Sequence, residues 1–173
     1  MRRSLLLTSL AWALPAWAQP EPPMSLVPPS LLDHASRLLA TLIQAGRDSA
    51  IAGGVKPEPA QIHRALLGFF PDDILRKARY VSGQADSIGL PGLALTYGDV
   101  VAVALIDVIL FRDDHRARTD AKLWAHELTH VMQYERWGLD GFARRYLVNP
   151  DSVEKEARDN ADRFVRWSEH ASL

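Results

Sequence analysis

The chain predicts an α+β fold, mainly helical with a small central sheet or hairpin, and three observations carry that reading. Apolar residues recur at spacings of three and four through Leu31, Ala35, Leu38, Leu39, Leu42 and Ile43, and helical patterning returns in the C-terminal third. Between these regions, residues 93–111 are rich in Val, Leu and Ile, which suits short strands. Asp99 and Asp107 interrupt that run and rule out a membrane span. The third observation is size: 173 residues, 47% hydrophobic and 24% charged, suit one globular domain. Lys and Arg number 20 against 21 Asp and Glu, a net charge of −1. A nucleic-acid binder would show a basic excess, so nucleic acid is excluded as a partner.

The elements follow in order. Met1-Arg2-Arg3, an apolar run to Trp17 and the small residues of Ala16-Trp17-Ala18 read as a signal peptide over residues 1–18. Export to the periplasm or secretion outside the cell is the expected location, with no membrane attachment after cleavage. Pro20, Pro22, Pro23, Pro28 and Pro29 make residues 19–30 a proline-rich leader. Residues 31–173 are then a single domain. Ser30 is placed to cap a helix over 31–50, ended by Gly53-Gly54. Ile62, Leu66, Leu67 and Phe70 predict a second helix stopped by Pro71, and Asp72-Asp73 start a third over 74–78. Tyr80-Val81 is a short strand, Gly89, Pro91 and Gly92 mark a loop, and 108–111 is the last strand of the apolar run. Residues 113–120 read as a charged loop. Thr119 or Asp120 caps a helix through Glu135, closed at Trp137-Gly138. A short helix over 141–147 and a final one over 151–169, opened by Asn149-Pro150, complete the chain.

Chemistry concentrates at His126-Glu127-Leu128-Thr129-His130. Residues four apart on a helix lie one turn above each other, so both imidazoles reach one side and can share a Zn²⁺. Glu127 is one step round the helix, where a carboxylate takes a proton from water made acidic by the metal. This is the H-E-x-x-H arrangement of zinc-dependent peptidases. Its apolar flanks, Leu123, Trp124, Ala125, Leu128, Val131 and Met132, argue against a plain solvated helix. The chain has no cysteine, which excludes thiol nucleophiles and Cys–zinc sites. Gln133 and Arg136 stand where a Met-turn peptidase needs Gly and His. A glutamate from the last helix is the other common third ligand, and Glu154 and Glu156 are both candidates.

The strings Ala125–Gln133, Gly138–Tyr146 and Glu154-x-Glu156-Ala157 resemble a family of zinc metallopeptidase domains. That family is best known as the core domain of extracellular contractile injection system (eCIS) effectors, and the resemblance covers about residues 61–164. It implies a zincin-like domain with His126, His130 and Glu154 as ligands and Glu127 as general base. Ala157 and Ala161 share the Glu154 face of the last helix and favour the same choice. One departure concerns the carboxylate or amide that thermolysin-like relatives place four residues after the third ligand. Arg158 stands there, leaving Asp159 or Asp162 to orient a ligand histidine.

Tyr146 and Arg145 lie between the two ligand-bearing helices and are candidate donors to an oxyanion. His115 and His170 read as surface residues, and Trp124, Trp137, Phe142 and Trp167 as packing aromatics. The strand over 108–111 is a candidate edge for an extended peptide. The expectation is therefore an exported Zn²⁺-dependent metallopeptidase acting on a peptide or protein. Its alternatives are a non-enzymatic zinc-containing module for protein association or toxin delivery, and a peptidoglycan-directed amidase with the same metal chemistry.

Overall fold

The computed structural model describes residues 28–83 and 101–171. The signal peptide, nearly all of the proline-rich leader, the Gly89–Gly92 loop and Asp99 lie outside them. The architecture is α+β, with six helices and four strands among the described residues. Helix α1 (Pro29–Gly53) leads into β1 (Lys56–Pro57), α2 (Ala60–Leu66), α3 (Asp72–Lys77) and β2 (Arg79–Ser82). The hairpin β3 (Ala102–Leu105) and β4 (Val108–Phe111) follows, then α4 (Asp114–Thr119), α5 (Ala121–Val148) and α6 (Pro150–Ala171). No described helix is long and apolar enough to cross a membrane.

The sheet order is β1-β2-β4-β3, with β2 and β4 parallel and the outer pairs antiparallel. Strand β4 is therefore interior, and all four of its residues are buried, as expected of a strand covered on both faces. Side chains alternate along the strands. Tyr80, Ala102, Ala104, Ile109 and Phe111 pack with α2, α3 and the first half of α5 around Trp124, Leu128 and Val131. Val81, Leu105, Val108 and Leu110 pack with Ile43 and Ala50 of α1 and with Tyr134, Phe142 and Tyr146. Trp124 is fully buried, and its indole N–H donates to the Ala117 carbonyl at 2.7 Å. Truncating such a side chain costs about 3–5 kcal/mol, so this residue fixes how α5 lies against the sheet.

Asp107 shows what a charge does inside an apolar run. It sits in the two-residue β3–β4 turn, and its carboxylate takes a forked pair of hydrogen bonds from Arg47 of α1. Burial would raise the Asp107 pKa, but the Arg47 guanidinium outweighs it and lowers it. The other turn residue, Ile106, has φ of 63°, a conformation that costs a β-branched residue about 1–2 kcal/mol.

Several boundaries differ from the sequence expectation. Helix α1 starts at Pro29 with Pro28 at its cap and no side-chain cap bond, so Ser30 lies inside it. Proline preset in the helical φ takes the first position. Helix α2 stops at Leu66, and a turn through Gly68 (φ 93°) carries the chain to Phe70. Residues 113–120 are not a loop: Asp113 accepts the Arg116 N–H at 2.7 Å and caps α4, and Asp114 pairs with Arg118 at 2.8 Å. At Gly138 the expectation holds: α5 is two helices run together across a kink, where Gly138 leaves the helical conformation with φ 69° and ψ 169°. Strand β1 was not foreseen. It contains Pro57, which an edge strand tolerates because its missing N–H costs no ladder bond.

Candidate metal centre

Asp120 caps α5 by accepting the Leu123 N–H at 2.9 Å, and Trp124 sets the helix on the sheet. That register turns His126 and His130 to one side. The bend at Gly138 and the turn at Asn149 then bring α6 back across α5. Here the first turns of α6 deliver Glu154 to the two histidines. One donor atom from each of His126, His130 and Glu154 lies within 4.8 Å of the others. His126 Nε2 is 3.2 Å from His130 Nε2 and 3.2 Å from Glu154 Oε2, and His130 Nε2 is 3.6 Å from Glu154 Oε1. Glu156 faces elsewhere. It pairs with Arg136 at 2.5 Å and accepts from Gln133 at 3.1 Å.

The donor chemistry fits a divalent cation. Gln133 Nε2 donates to the Val153 carbonyl and to Glu156, both at 3.1 Å. Its Oε1, 2.8 Å from His130 Nδ1, is then an acceptor, which puts the His130 proton on Nδ1 and the lone pair on Nε2. That lone pair faces a second imidazole nitrogen and a carboxylate. Three electron-rich atoms so close repel one another unless protons or a metal ion stand between them. Two imidazoles and one carboxylate, with space on the remaining side, can hold such an ion.

Electrostatics point the same way. Burial disfavours a charged His130, yet the Glu154 and Glu127 carboxylates outweigh it and raise its pKa. Burial likewise works against charge on Glu154, but the hydrogen bonds and charges of the two histidines hold its pKa far below the usual carboxylate range. Glu127 behaves oppositely. Its carboxyl is raised by burial, only partly offset by the histidines and by the Ala104 N–H. One of its oxygens, Oε2, is buried and has no hydrogen-bond partner.

His126, Glu127, His130 and Glu154 line one cleft of about 600 Å³, together with Ala102, Val103, Phe142 and Tyr146. The Tyr146 hydroxyl donates to Glu154 Oε1 at 3.1 Å. Arg158 also lines the cleft, exposed and without an ion-pair partner among the described residues. Arg145 does not enter it: the side chain is exposed and lies over the Trp137 ring at 4.7 Å. His115 and His170 are exposed. The orienting role expected of Asp159 or Asp162 falls to neither, because they pair with Lys155 and Lys122. Gln133 meets the histidine instead, and sequence reasoning missed that. Its signal was present, as the last residue of the string used for the family resemblance.

The sheet edge on this cleft is β3, not the strand over 108–111. With Arg112 N–H donating to the Val101 carbonyl, the antiparallel register turns the backbone of Val103 and Leu105 toward β4 and that of Ala102 and Ala104 away. The Ala104 carbonyl is engaged by the Tyr134 hydroxyl at 3.3 Å, and its N–H acts on the Glu127 carboxylate.

No curated protein and no solved structure matches the chain. A family model does match, over residues 57–138. That segment runs from β1 to the bend in α5 and holds His126, Glu127, Gln133 and His130, while Tyr146 and Glu154 lie beyond it. The family so matched is the eCIS core domain, and the match spans residues 57–138 of the chain.

Proposed function

We propose that the protein is an exported zinc-dependent metallopeptidase of zincin type that hydrolyses peptide bonds. The observation that carries this reading is the buried, unpartnered Glu127 Oε2 beside three converging ligand atoms in an open cleft. A site serving structure alone closes four positions with protein ligands and has no use for a buried orphan carboxylate oxygen. His126, His130 and Glu154 would hold the metal. Zinc supplies Lewis acidity, which makes water a usable nucleophile at neutral pH and polarises a carbonyl.

The remaining work belongs to the chain. Glu127, its carboxyl raised by burial, takes the proton of the attacking water and passes it to the leaving amine. Tyr146 steadies Glu154 and turns its hydroxyl to the substrate carbonyl oxygen as negative charge builds there. An extended peptide pairs with the outward N–H and carbonyl of Ala102 on β3, which aligns its next peptide bond with Glu127. The apolar lining by Val101, Val103, Leu123 and Phe142 takes its side chains.

The test is a broad peptide-cleavage screen by mass spectrometry on zinc-loaded protein, with Glu127→Gln beside it. Cleavage by the wild type and none by the variant supports the reading. A zinc-loaded wild type that cleaves nothing, while both proteins bind a partner equally, supports the non-enzymatic module instead.

A further inference from the structure

The most completely hydrogen-bonded side chain near the metal centre is one that neither binds a metal nor reaches the cleft. Gln133 is fully buried and all its polar atoms are engaged. Its Oε1 accepts from His130 Nδ1 at 2.8 Å, and its amide group donates to the Val153 carbonyl and to Glu156 Oε2, both at 3.1 Å. Glu156 in turn is held by Arg136, which is half-exposed on the far side of α5. We propose that Gln133, backed by Glu156 and Arg136, is the positioning residue of the metal centre, fixing the second histidine and the helix turn that carries the third ligand with one amide.

Two physical points carry this inference, which rests on the metal reading above. First, a ligand histidine is useful only when its other nitrogen is held, since that bond sets the tautomer and the ring angle. Gln133 cannot turn its amide round without losing two donors to acceptors, so it presents only oxygen to His130. Second, Val153 immediately precedes Glu154. The same amide that orients His130 on α5 therefore holds the α6 backbone one residue from Glu154. The Arg136–Glu156 ion pair completes the line by giving the second amide proton a charged acceptor, which strengthens that bond. A carboxylate four residues after Glu154 would orient a histidine from α6 alone. Here Arg158 has that position, and the orienting group sits on α5 and reaches to α6.

The test is a zinc-competition titration on the full chain, with cobalt absorption spectra of the same variants. Gln133→Leu should weaken zinc binding by about 10–100-fold and change the cobalt spectrum. Since Gln133→Leu also leaves the Val153 carbonyl unpaired, two companions separate positioning from packing. The exchange Gln133→Glu with Glu156→Gln leaves the Val153 carbonyl without its donor just as Gln133→Leu does, but keeps an acceptor for His130 Nδ1 and a donor facing it from position 156, and should bind zinc about tenfold more tightly than Gln133→Leu. Asn160→Leu removes another buried α5–α6 bond, Asn160 Nδ2 to Thr129 Oγ1 at 2.8 Å, without touching a ligand, and should leave affinity within a few-fold. The proposal is overturned if Gln133→Leu binds zinc within threefold of wild type, or if Asn160→Leu loses as much as Gln133→Leu. A wild type that takes up no zinc defeats the metal reading separately. The positioning role is then judged by nitrogen NMR of the neutral His130 ring at alkaline pH: a proton on Nδ1 supports it and a proton on Nε2 overturns it.

Discussion

Replacing Glu127 by glutamine should raise stability and remove activity together. The carboxylate is buried, with the Ala104 N–H beside it lowering its pKa in part, and its Oε2 has no hydrogen-bond partner. An unsatisfied buried group costs about 1–3 kcal/mol, and more when charged. Glutamine keeps an oxygen for Ala104 and removes the charge, at the cost of one amide to be satisfied. The expected net gain in metal-free protein is about 1–2 kcal/mol, or a rise in melting temperature of roughly 2–8 °C for a chain of this size. Zinc affinity should stay within a few-fold, because Glu127 is not among the three converging groups. Hydrolysis should fall about 10²–10⁴-fold with loss of the base. Calorimetry on metal-free wild type and variant, with cleavage rates on the metal-loaded pair, makes the measurement. A variant that cleaves as fast as wild type, or one destabilised by more than about 1 kcal/mol, would refute the reasoning.

Three further outcomes are expected. Glu154→Gln should weaken zinc binding by orders of magnitude in a competition titration, whereas Glu156→Gln, an Arg136 partner, should stay within a few-fold. Asp107→Asn should cost about 1–3 kcal/mol near neutral pH by breaking the pair with Arg47. Because Arg47 lowers the folded pKa of Asp107, that stability is present above the unfolded value of about 3.9 and vanishes as pH falls through the folded one, so denaturation curves of the two proteins should converge in acid. Glu58 has the opposite sign. Burial raises its pKa to about 6 against the pull of His63, so its contribution is present below about 4.3 and is lost as pH rises toward 6. Glu58→Gln should therefore be more stable than wild type by about 1 kcal/mol at pH 8, after allowing for solvent screening, with no advantage at pH 4.

The long elements were legible because each carries its own signal. The spacing in α1, the Asn149-Pro150 start of α6 and the two histidines four apart on α5 are local patterns that tertiary packing only completes. The hairpin was legible as a pair of strands but not in its place in the sheet. Strand order depends on which segment returns beside β2, and nothing local to residues 108–111 encodes that β4 is interior and β3 the edge. The helix over α4 was missed because its charges read as a loop, although Asp113 is a good cap. At the site, the ligand spacing and the Ala157–Ala161 face pointed to Glu154, which the fold brings to the histidines. The role of Gln133, present in the family string only as a letter, and the Tyr146–Glu154 bond were not legible for a different reason: each joins α5 to α6, and one-dimensional spacing does not say which neutral side chain faces which ligand.

Metal analysis of the purified wild-type chain bears most directly on the account. After exposure to Zn²⁺ and removal of excess, native mass spectrometry should find one ion per chain. His126→Ala with His130→Ala should find none and should lose the melting-temperature increase that zinc gives the wild type, because an ion that binds only the folded form stabilises it by linkage. A wild type that retains no zinc, or a double variant that retains one equivalent, would contradict a metal centre at His126, His130 and Glu154.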